Sequence, residues 1–154
     1  MSPGALLLVA AVAGATAVTV AWRAPRLWLG VTLLSATAAL AAAVIVLAGA
    51  AEPEWQWRGT FLVGGETPHL QLDALSALFL ALLSVIGGGG AVYAREYWSE
   101  AAHPRSARTG RVAWSALSLC IGLVLLSRNG LHFLIAWELF TLSAYFLITL
   151  ERGR

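Results

Sequence analysis

The chain has 154 residues, 59% of them hydrophobic and 12% charged, with a mean hydropathy of +0.77. A soluble domain carries about 25% charged residues, so this composition excludes an ordinary water-soluble globule and points to an integral membrane protein. The net charge is +2 and all 10 basic residues are arginine; they stand in the connections between apolar segments and form no basic patch interleaved with aromatics, which argues against nucleic acid as a partner.

A spanning helix needs roughly 20 apolar residues to cross about 30 Å of hydrocarbon. Five such segments are predicted in chain order, over residues 5–21, 27–51, 72–94, 112–127 and 131–150. The expected fold is therefore all-α and polytopic, in a single membrane domain over 1–154 with no internal repeat and no low-complexity linker. The first segment lacks a basic leader, and the "AWRAPR" after it reads as a helix stop with a charged turn, so a retained helix is expected in place of a signal peptide. The first two segments are rich in Ala, Gly, Ser and Thr, the composition that lets helices pack closely in lipid. The third contains four consecutive glycines at 87–90. A glycine run deep in a span permits either close backbone approach or a kink, and nothing around it fits a phosphate loop. The fourth segment covers only about 24 Å at 1.5 Å per residue, so its helix is expected to start earlier, near Thr109.

The arginines predict the orientation. Arg23 and Arg26 lie between the first and second segments, Arg95, Arg105, Arg108 and Arg111 between the third and fourth, and Arg152 and Arg154 after the fifth. If all five segments span, these share one side, and only Arg58 and Arg128 fall on the other. The positive-inside rule then predicts N-out/C-in in the cell inner (plasma) membrane. The connection over 52–71 is expected to be a long outer loop carrying Glu52, Glu54 and Glu66. Trp22, Trp28, Trp55, Trp57 and Trp98 suit an interfacial aromatic belt.

Cys120 is the only cysteine, which excludes an intramolecular disulfide and a Cys-ligated metal site; a small buried hydrophobe is expected there. His69, His103 and His132 have no partners at metal spacing, so neither a metal nor a cofactor site is expected. Glu138 is different. It lies seven residues, about 10 Å of helix, into the fifth segment, close to mid-membrane. A carboxylate at that depth usually faces a bundle interior or a wet cavity and marks an ion or proton path. Thr141, Tyr145 and Thr149 share its stripe at 100° per residue, and their hydroxyls could bond the carboxyl or order water beside it. Two readings stay open: a proton-binding site, or a permanently protonated glutamate linking helices. Burial disfavours the charged form and a nearby cation favours it. Arg128, about 15 Å away along the axis, is expected to snorkel to the outer surface instead. Asp73, with Ser76 three residues on, reads either as a carboxylate favoured by the N-terminal dipole of the third helix or as a functional group.

Two stretches, "LDALSALFLALLS…AVYAREYW" over 72–98 and "NGLHFLIAWELFTLSAYFLITLE" over 129–151, resemble the antiporter-like membrane subunits of respiratory complex I. The same family includes the subunits of Mrp-type cation/proton antiporters and the large membrane subunits of group 4 hydrogenases. The pattern is carried by Asp73, Leu75, Ser76 and Phe79, by Tyr93 and Tyr97, and by Trp137, Glu138, Leu142, Ser143, Tyr145, Phe146 and Leu147. The outer loop and "REY" lean toward the hydrogenase-4 component B and formate hydrogenlyase subunit 3 branch. The resemblance covers the front third of the family's length and implies about fourteen helices in two inverted five-helix repeats. It also implies that Glu138 is the fifth-helix glutamate, which in the family pairs with a seventh-helix lysine. No lysine occurs in this sequence, so missing helices would have to supply it. The glycine run departs from the bulky residues usual in the family.

The expectation is thus the N-terminal part of a proton-translocating subunit of a complex I-like or hydrogenase-linked complex. Its partners would be other membrane subunits and the lipid bilayer, with redox chemistry housed elsewhere. The alternatives are an Mrp-type antiporter subunit and a non-transporting structural or assembly fragment.

Overall fold

The computed structural model describes residues 2–49 and 54–150. The expected end of the second segment at 51, Glu52, Glu151 of the quoted motif, Arg152 and Arg154 lie outside the described residues. Five helices follow one another: α1 Pro3–Val20, α2 Pro25–Leu47, α3 Ala74–Tyr97, α4 Ala107–Leu126 and α5 Gly130–Ile148. Each is long and apolar enough to cross a membrane. Between α2 and α3 two short strands, β1 Trp55–Arg58 and β2 His69–Leu72, form an antiparallel hairpin.

Local chemistry sets the ends. α1 and α2 open on Pro3 and Pro25, where a missing N–H costs nothing because the first turn has no acceptor for it. α2 stops at Leu47, short of 51, because Gly49 adopts φ 63° and turns the chain out of the helix. α4 begins at Ala107, earlier still than the expected Thr109, and its 20 residues reach about 30 Å. The expected loop over 52–71 is partly strand. Val63 bridges Glu66 across Gly64 and Gly65, whose φ values of 64° and 87° match the twist of a tight hairpin.

Lipid offers no water to expel from between helices, so close backbone approach and interhelical hydrogen bonds hold them. α1 and α2 meet along alanines, with Ala10 of α1 in one buried cluster with Ala38, Ala39, Ala42 and Ala43 of α2. Ser35 Oγ donates across this seam to the Ala10 carbonyl at 2.7 Å. Large side chains such as Leu8, Leu34, Leu82, Ile86, Leu134 and Ile148 point outward, as a lipid-facing surface requires. α1 also packs on α4, α2 on α3, and α3 on α4, while α5 packs along α4 and on no other helix extensively.

The glycine run produces close approach and no break, since α3 continues through it. A Cβ on Gly90 would lie 2.4 Å from the Trp114 ring, and one on Gly88 would lie 3.3 Å from Ala36 Cβ. Trp114 of α4 also donates its indole N–H to the Gly87 carbonyl at 3.2 Å. The glycines therefore let α2 and α4 approach α3 on two sides.

Two sequence expectations are corrected here. Trp28 does not present its ring to the lipid interface: it is 2% exposed and donates its indole N–H to Ser115 Oγ at 2.8 Å. Nor are the arginines confined to loops. Arg26, Arg95, Arg108 and Arg111 lie inside helices, and Arg111 is buried at 8% exposure.

Candidate functional site

α5 starts at Asn129, whose side-chain oxygen accepts from the N–H groups of Leu131 at 2.9 Å and His132 at 3.4 Å. That cap fixes where the helix begins. Ala136 and Ser143, seven residues apart and both buried, form the seam against α4. Glu138 follows Ala136 by two residues, about 200° around the axis, and is exposed on the side turned away from α4. It makes no hydrogen bond and no ion pair among the described residues. By helix rise it sits about 12 Å below the first turn of α5.

Thr141 and Tyr145 of the stripe are also exposed and Thr149 is half-buried, but none bonds the carboxyl. Thr141 Oγ1 donates to the Trp137 carbonyl at 3.0 Å, and Thr149 Oγ1 to the Tyr145 carbonyl at 2.8 Å. Tyr145 is 53% exposed. Around Glu138 the aromatic rings of Phe133, Trp137 and Phe140 form a chain with centroids 5.9 and 5.8 Å apart. The exposed face of α5 is thus apolar and aromatic with one carboxylate in its middle.

Asp73 lies away from this face, at the hairpin end. It caps α3, accepting from the Ser76 N–H at 2.7 Å, and pairs with Arg128. The Ser76 backbone bond, aided by Arg128, holds its carboxyl below the usual carboxylate range. Arg128 is therefore committed to Asp73 and to the hairpin, where its backbone N–H donates to the His69 carbonyl at 2.9 Å. Asn129 Nδ2 adds a bond to Glu66 at 3.2 Å. Of the residues singled out in the sequence, Glu138, Thr141 and Tyr145 share a face, and Asp73 does not join them.

At the opposite end lies a network that the sequence reading passed over. Arg111 donates Nε–H to the Ala21 carbonyl at 2.9 Å and an NH2 group to Glu100 at 2.6 Å, with its guanidinium 6.0 Å from the centre of the Trp28 ring. Arg108 stands 3.5 Å from the same Glu100 oxygen. The Arg111 bond, then the two positive charges, hold the Glu100 carboxyl below its ordinary range. His103 stacks on Trp98 at 3.9 Å. The only available signal was that 107–111 continues the helical pattern of the fourth segment, which places Arg111 one turn inside.

Two cavities accompany these groups. One of 120 Å³ lies within the α1–α4 bundle among small residues and the hydroxyls of Thr32, Ser35, Ser84, Ser115 and Ser118. The other, of 640 Å³, opens at the arginine-rich end between α2, α3, α4 and α5. No cluster of metal-ligating side chains exists among the described residues.

Comparison with known proteins finds no family model and no curated protein that matches this chain. The fold itself defines the class: an all-α, multi-pass membrane protein with five spanning helices and a small β-hairpin at one end.

Proposed function

We propose that this chain is the N-terminal part of a proton-translocating membrane subunit of a complex I-like or group 4 hydrogenase-linked complex in the cell inner (plasma) membrane, oriented N-out/C-in. Glu138 is its intramembrane proton site. The observation that carries this reading is the placement of Glu138: a carboxylate about midway along an apolar helix long enough to span, on the face of α5 turned away from α4, in a W-E-x-x-x-L-S-x-Y-F-L sequence. An ionisable group at that depth is costly against hydrocarbon and stable against a protein partner or water. The exposed face of α5 is accordingly the side on which further helices pack, and one of them brings a cation to Glu138. That cation is a lysine by resemblance, and it comes from residues outside this sequence. Proton release follows its approach, and reprotonation follows its withdrawal. Tyr145 and Thr141 line the face along which the proton would pass.

The test uses the assembled complex. Glu138→Gln preserves size and hydrogen bonding but cannot ionise; it should leave assembly intact and abolish most proton translocation. Glu138→Asp should retain part of it. Undiminished translocation by Glu138→Gln would assign the residue to helix linking instead. Sodium-dependent pumping without redox dependence would move the chain to the Mrp-type reading.

A further inference from the structure

We propose that the 640 Å³ cavity at the arginine-rich end is a binding site for the phosphate head group of an anionic phospholipid. The volume lies within the roughly 300–1,000 Å³ range of ligand pockets. The proposal rests on how its charges are distributed. Arg111 and Glu100 both line the cavity, but they neutralise each other at 2.6 Å. Arg26, from the first turn of α2, and Arg95, from the last turns of α3, also line it. Arg26 makes no ion pair among the described residues, and the acidic contact of Arg95 is a loose one to Glu96 at 3.9 Å between two exposed side chains. Two guanidinium groups therefore remain available at the mouth.

The remaining walls are unsuited to a free ion. Tyr93 and Tyr97 stack on one side with centroids 5.1 Å apart, and Trp114, Leu147 and Leu150 line the other parts. A phosphate alone would use only the arginines. A phospholipid uses both surfaces, with its diester between Arg26 and Arg95 and its glycerol and upper acyl chains along the aromatic and leucine wall. Terminal turns of spanning helices sit at the headgroup level, and basic pockets between helices there select anionic lipids. A zwitterionic head group would bring its own cation against the two arginines and gain little.

The experiment titrates the purified full chain in detergent with short-chain phosphatidylglycerol, short-chain phosphatidylcholine and inorganic phosphate, following tryptophan fluorescence. Trp28, Trp98 and Trp114 line the cavity and report on it. An arginine near an anionic lipid is worth about fivefold in affinity, so Arg26→Gln/Arg95→Gln should weaken phosphatidylglycerol binding by about 30-fold and leave phosphatidylcholine unchanged. Arg26→Lys/Arg95→Lys keeps the charge and should keep most of the binding. Arg23→Gln, an exposed arginine at the same end that does not line the cavity, should bind like the parent chain. Equal affinity of the parent for the two lipids would overturn the proposal, as would an equal loss in Arg23→Gln, which would mean diffuse attraction. The same fluorescence response with inorganic phosphate alone would replace the lipid by a soluble anion.

Discussion

Glu138 and Arg111 handle the same difficulty, an ionisable side chain among apolar ones, in opposite ways. Arg111 is buried and fully engaged, with a carboxylate, a helix-terminal carbonyl and an indole face around it. Removing it leaves the Ala21 carbonyl without its side-chain donor and Glu100 with only the longer contact to Arg108 at 3.5 Å. Arg111→Gln should therefore lower stability by about 1.5–3 kcal/mol, the range for hydrogen bonds to charged groups, measured by unfolding in detergent. Glu100 and Asp73 are both held below the ordinary carboxylate range. For a depressed carboxylate the stabilisation is complete above the unfolded-state value and is lost as pH falls through the folded-state one. Thermal stability should thus be flat from pH 7 to about 5 and fall below about 4, and Asp73→Asn with Glu100→Gln should lower the plateau and flatten the fall. An unchanged acid limb in the double variant would assign the loss to other groups. Single glycines give an equally sharp contrast. A Cβ at Gly89 meets nothing within 4 Å, whereas at Gly90 it meets the Trp114 ring at 2.4 Å. Gly89→Ala should be neutral or stabilising by up to about 1 kcal/mol. Gly90→Ala should destabilise by about 1–3 kcal/mol through overpacking, and equal melting temperatures for the two would refute the close-packing account.

At the scale of elements, the hairpin fastens three helices at one end. β2 runs directly into the Asp73 cap of α3, Leu70 bridges to Ser127 at the end of α4, and Glu66 reaches the Asn129 cap of α5. Gly64 is the critical residue of this clasp. Its φ of 64° disfavours any side chain, and a Cβ there would lie 2.7 Å from Leu131. Gly64→Val should loosen the hairpin, detectable as faster amide exchange over 55–72 with little change in α1 and α2. Uniform protection in the variant would show that the turn is not what holds the clasp. α5 is the element least secured by this chain, since it rests on α4 and on the clasp, and its outward face carries Glu138 among aromatic rings.

Over the whole molecule, charge is segregated between the two ends. Arg23, Arg26, Arg95, Arg105, Arg108 and Arg111 face Glu96 and Glu100 at one end, while the hairpin end sets Arg58 and Arg128 against Glu54, Glu66 and Asp73. The positive-inside rule predicts that the first end is cytoplasmic. In a Cys120→Ala background, an impermeant thiol reagent added outside intact cells should label Thr60→Cys and not Arg105→Cys. The reverse pattern would invert the topology.

Much of this protein was determined by its sequence alone. Five spans follow from hydropathy and length, because hydrocarbon imposes the same requirement on every helix that crosses it. The position of Glu138 midway along α5 and the stripe it shares with Thr141 and Tyr145 follow from helix length and periodicity. The hairpin was poorly legible, because each strand has only 4 residues and too little alternation to stand out; the paired glycines were its one signal. Only the tertiary structure decided which way each face turns. Neither the hydropathy of α5 nor its periodicity says that the side bearing Ala136 and Ser143 meets α4 and that Glu138 looks outward. Small side chains select the seam by how closely two backbones can approach, and that depends on both helices at once. For the same reason Trp28 and Arg111, which resemble interfacial residues when read singly, become the buried lock between α1, α2 and α4.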